Sequence, residues 1–67
     1  MPSEMEIRQT GRKLLYQLLE TEKQLHQDNI GKDINLMAVT KLISQQKATM
    51  EQEDVKLVEK QIADIFG

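Results

Sequence analysis

The sequence predicts an all-α fold: a helical hairpin or three-helix bundle in which a long first helix receives two shorter ones, with the whole expected to dimerise. Three observations lead there. Apolar residues recur at helical spacing in three successive segments. Helix-start and helix-stop residues fall between those segments rather than inside them. The chain has 67 residues and no cysteine, so packing or oligomerisation must hold it together without disulfides or thiolate metal sites. Residues 1–67 therefore form a single small helical domain.

The first helix is expected from about residue 4 to about residue 27. Ser3-Glu4-Met5-Glu6 matches a capping box, and the two glutamates suit the positive end of the helix dipole. The apolar centre is Leu14-Leu15-Tyr16-Gln17-Leu18-Leu19, whose four leucines share one broad face. Gly11 lies on that face between Ile7 and Leu14. A mid-helix glycine costs about 0.5–1 kcal/mol against alanine. It reads either as a tolerated defect or as the mark of a second backbone approaching closely.

Residues 28–34 read as a turn, with Asn29 and Gly31 suited to the left-handed conformation that closes a helix. Asn35 is the expected cap of helix 2, with Ile34 and Val39 as a hydrophobic staple. Helix 2 is placed at about 36–47, burying Leu36, Val39, Leu42 and Ile43. Helix 3 is placed at about 50–66, burying Val55, Val58, Ile62 and Ile65.

The junction between helices 2 and 3 contains no Gly or Pro, and two patterns compete there. Thr49-Met50-Glu51-Gln52 forms a second capping box, followed by Glu53 and Asp54, which favours a new helix start. Leu36, Ile43, Met50 and Leu57 are spaced by seven, which favours one continuous helix. The polar Gln46 and Glu53 interrupt the apolar phase of helix 2, so the balance falls on a break.

Composition excludes more functions than it suggests. The net charge is −2, and both halves are nearly balanced, so no basic footprint for nucleic acid and no basic anchor for a membrane surface is present. No apolar run is long enough to span a bilayer. The acidic, polar start is unlike a signal peptide, and a cytoplasmic location is expected.

Catalytic chemistry has little to work with. Covalent catalysis needs an activated nucleophile beside a base. Cysteine is absent and the single histidine, His26, sits where it suits the negative end of helix 1. Glu22 and His26 share a face but make only two of the ligands a metal needs. The segment from Asp28 to Asp33 fails the calcium-loop spacing. Neither an enzymatic activity nor a cofactor is expected.

What remains is apolar surplus and one basic cluster. Gly11, Leu15, Leu19, Met37, Met50 and Leu57 are the residues expected at an interface with a partner protein or a second copy, because three helices this short cannot bury all of them. The expected function is a small non-enzymatic regulator or adaptor acting through apolar helix faces. The alternative is a dimeric nucleic-acid-binding regulator in which Arg8, Arg12 and Lys13 meet phosphates. The acids opening helix 3 argue against that helix reading DNA, since a recognition helix presents its N-terminal residues to the duplex.

Overall fold

A computed structural model describes residues 3–28 and 33–66, and these form three helices: α1 (Glu4–Asp28), α2 (Asp33–Ala48) and α3 (Gln52–Phe66). α1 is the spine. Both α2 and α3 pack along it, whereas they scarcely approach each other. Gln46 meets α1 at Gly11 and Thr40 meets it at Glu22, so α2 runs antiparallel to α1. Asp54 meets α1 at Arg8, and Gln61 lies beside Tyr16 and Glu20, so α3 runs parallel to it.

Ser3 caps α1 as expected. Its Oγ accepts from the Glu6 amide at 3.2 Å, and its carbonyl accepts from Ile7 at 3.0 Å. The turn with its candidate stop residues Asn29 and Gly31 lies outside the described residues. α2 begins at Asp33, so Asn35 is its third residue rather than its cap, and Ile34 is helical rather than the outer half of a staple. No Gly or Pro lies between Asp33 and Asn35 to delay the start.

The break between α2 and α3 is present, but Thr49 serves it from the other side. Its Oγ1 donates to the Gln46 carbonyl at 2.8 Å, and its amide donates to the same carbonyl at 3.1 Å. Thr49 therefore closes α2 instead of opening α3. Glu51 opens α3: its carbonyl accepts from Asp54 at 3.0 Å and Val55 at 3.1 Å. The interruption shifts the apolar register, which leaves Leu57 exposed and puts Val58 inside.

The core is small: Leu15, Leu19, Ile43, Val55, Val58 and Ile62. Tyr16, Leu18, Val39, Met50 and Phe66 pack against it while partly exposed. The leucine face of α1 divides. Leu15 and Leu19 enter the core, whereas Leu14 stays exposed. Leu42 and Ile65, expected inside, are exposed as well. Each lies at the edge of its helix's apolar stripe, beyond the reach of α1.

Gly11 lies against Gln46 of α2 and Met50 of the junction after it, and the Gln46 side-chain amide donates to its carbonyl at 3.3 Å. A Cβ at this position would meet its nearest neighbours at 3.5 Å, an ordinary contact. The approach is close, yet alanine fits it. Gly11→Ala should therefore stabilise the fold by about 0.5–1 kcal/mol through helix propensity. Leu15→Ala should destabilise it by about 2–5 kcal/mol, because that side chain is fully buried. Urea unfolding followed by circular dichroism checks both. A destabilised Gly11→Ala would mean that α2 sits closer to α1 than this.

Candidate functional site

Two helix faces and one buried carboxylate stand out. Asp54 is 4% exposed and is the buried charged residue among those described. It lies in the first turn of α3, on the same stripe as Val58 and Ile62. Burial of a carboxylate requires a partner, and α1 supplies it. The Arg8 Nε donates to Asp54 Oδ2 at 2.9 Å, and its Nη2 donates to Oδ1 at 3.0 Å, a two-pronged pairing. The same Nη2 reaches Glu53 at 2.7 Å. Arg12 Nε lies 3.8 Å from Asp54 Oδ1, close enough to attract but too far for a hydrogen bond.

These contacts govern ionisation. Hydrogen bonds from Arg8 hold the Asp54 carboxyl below its ordinary range, against the opposing effect of burial, and the charges of Arg8 and Arg12 add to the depression. The hydrogen bonds to Asp54 and Glu53 raise Arg8 in turn. Both arginines of the predicted phosphate-binding cluster thus face α3, while Lys13 is exposed.

A groove of about 330 Å³ runs between α2 and α3, where those helices part. Its floor is Leu19, Ile43 and Ile62, and small side chains, Ser44 and Ala63, form its walls. Charge of both signs rims it: Glu22 and Lys23 from α1, Lys47 from α2 and Glu59 from α3. Lys47 and Glu59 join across it at 3.1 Å. Met37 is the most exposed of the large apolar side chains described, at 69%. It lies one turn before Thr40 and Lys41 on α2 and does not line the groove.

The second face lies on the opposite flank of α2, where it meets α1. On α1 the row Ile7, Thr10, Leu14, Gln17 and Thr21 is exposed. On α2 the row Ala38, Leu42 and Gln45, continued by Thr49 just past its end, is exposed beside it. Ile7, Leu14, Gln46, Thr49 and Met50 bound a shared depression of about 280 Å³. Neither row holds a charged residue, although charged residues make up 30% of the chain. Arg8 and Asp54 reach the depression, and they are paired with each other.

The residues expected at an interface are distributed unevenly. Leu15 and Leu19 are buried inside the single chain, and Gly11 and Met50 meet between α1 and α2. Met37 and Leu57 are exposed, on different sides. His26 is exposed in the last turn of α1, and Glu22 lies within 3.5 Å of the Thr40 hydroxyl. Among the described residues no group of three or more His, Asp or Glu is placed to hold a metal ion. No helix described is long and apolar enough to cross a membrane. Comparison with protein-family models, with curated proteins and with solved structures finds no match.

Sequence reasoning missed Asp54, and a signal for it existed. Arg8 and Arg12 continue the stripe of Leu15 and Leu19 by alternating steps of four and three, and Asp54 continues the stripe of Val58. Opposite charges placed on two apolar stripes mark a pair that meets when the stripes pack.

The pH response follows. A carboxyl lowered in the native state contributes stability above its unfolded value, about 3.9 for Asp. That contribution is lost as pH falls from there through the lower native value. Asp54→Asn should be less stable than the parent at pH 7, and the gap should narrow as pH falls below about 4. Thermal unfolding of both proteins across acid pH reads this directly. Parallel curves would mean that Asp54 contributes nothing through its charge.

Proposed function

We propose that this chain is a small regulatory or adaptor protein that acts by binding, through apolar helix faces, another protein or a second copy of itself. The observation that carries this reading is the exposure of seven large apolar side chains, 41–69% each, among the described residues of so short a chain. Scattered single exposures are ordinary, but Ile7, Leu14 and Leu42 share one face, and such a cluster on a small domain marks an interaction surface. The groove between α2 and α3 suits an amphipathic helix. Its apolar floor would take the i, i+3, i+4 and i+7 side chains of such a segment, and its mixed rim would set the orientation.

The nucleic-acid alternative draws less support. Phosphate contact needs free guanidinium donors, and the Nε and Nη2 of Arg8 are engaged with Asp54 and Glu53. The surrounding acids would also repel a polyanion.

A photo-crosslinking side chain at Ser44, inside the groove, tests the partner reading in extract of the producing cells. A specific adduct is expected from Ser44 and not from Lys60, which is exposed on α3 away from the groove. Charge-neutral filling of the groove by Ala63→Met should abolish the adduct, and added salt should not. Equal labelling from both sites, or an adduct indifferent to Ala63→Met, would reject the groove as the binding site.

A further inference from the structure

Of the outer faces, the one shared by α1 and α2 differs in kind. The groove between α2 and α3 carries charges from all three helices. The flank shared by α1 and α3 is also charged, with Arg12, Lys13 and Glu20 around Tyr16. The flank shared by α1 and α2 presents Ile7, Leu14 and Leu42 among threonines, glutamines and an alanine, with Glu6 and Lys13 at its rim beside Thr10. Depletion of charge at the centre of a surface, with apolar groups present, is the compositional mark of an interface core.

We infer that this face binds the same face of a second copy of the chain, forming a four-helix bundle from two copies each of α1 and α2. The inference rests on the reading of the apolar helix faces as binding surfaces and commits one of them to self-association. Three arguments favour a second copy as the occupant.

The first is architecture. α1 and α2 form an antiparallel pair side by side. A two-fold axis running along such a pair stacks α1 on the α2 of the second copy, and every helix is then antiparallel to its neighbours, as in an up-and-down four-helix bundle. The second is charge. Thr40 lies beside Glu22 and Gln46 beside Gly11, so Lys41 on α2 stands at about the level of Glu20 on α1. Both lie on the outer edges of the face, away from the seam between the helices. The two-fold keeps each level in register, so it brings Glu20 of each copy over Lys41 of the other. Neither residue forms an ion pair among those described.

The third argument is size. From Ile7 to Thr21 the face is about 21 Å long, and two adjacent helices make it about 20 Å wide. About 400 Å² in plan per copy is roughly half of the ~800 Å² per partner of a standard interface, which suits only a weak, reversible dimer of micromolar-range affinity.

Sedimentation equilibrium on the full chain tests this, with loading from about 5 µM to about 500 µM to bracket that affinity. The parent should pass from monomer to dimer within this range. Leu42→Glu should weaken dimerisation by at least about 100-fold, while Leu57→Glu, off the face and similarly exposed, should leave it within about 3-fold. Glu20→Lys and Lys41→Glu should each weaken it, and the double exchange should restore it. Circular dichroism on the same samples separates loss of association from loss of fold, and the rescued double variant guards against the second.

A parent that stays monomeric at the highest loading overturns the inference. So does a Leu57→Glu variant as impaired as Leu42→Glu, or a double exchange that fails to recover. The groove reading stands or falls separately, because Ala63→Met should leave the dimer intact and Leu42→Glu should leave the Ser44 adduct intact.

Discussion

The pairing of Arg8 with Asp54 decides where α3 can lie. An ionised carboxylate at 4% exposure is costly unless its partner is in place, so α3 must start where Arg8 can reach it. Arg8 projects from the second turn of α1, and Asp54 from the first turn of α3. The pair thus sets the start of both helices at one end of the bundle, and α3 runs from there along α1. Val55, Val58 and Ile62 then fall onto Leu15 and Leu19.

That arrangement has consequences for every other surface. α1 is flanked by α2 on one side and α3 on another, and its fully buried Leu15 serves both. Since each outer helix is fastened to α1 rather than to the other, a groove opens between them, bridged at Lys47 and Glu59. The other flank of α2 turns away from the core with Leu42 exposed. A three-helix unit with so few buried side chains leaves apolar surface on two sides. The two sides differ in charge.

Much of the local structure was legible in the chain because short-range forces set it. Ser3 caps α1 with its own hydroxyl, and the periodicity of Leu15, Leu19, Val55, Val58 and Ile62 marks their buried faces. The junction was legible as a break but not in its chemistry. Thr49 precedes a glutamine by three, the pattern of a helix start, yet its hydroxyl turns back to the Gln46 carbonyl. A threonine hydroxyl can donate backward or accept forward, and the sequence pattern is the same for both. The register of Leu42 and Ile65 failed for a different reason. Both fit an apolar stripe, but a stripe is wider than the strip of surface that α1 can cover.

Helix content, the number of helices, the cap at Ser3 and the mixed, weakly acidic charge were determined by the sequence alone, since each depends on residues within a few positions of one another. Which arginines are engaged and which leucines remain outside depend on side chains well separated in sequence: Arg8 on Asp54, Gly11 on Gln46, Glu22 on Thr40. Local spacing places a residue on a face, but only the packing of one helix on another decides what that face meets.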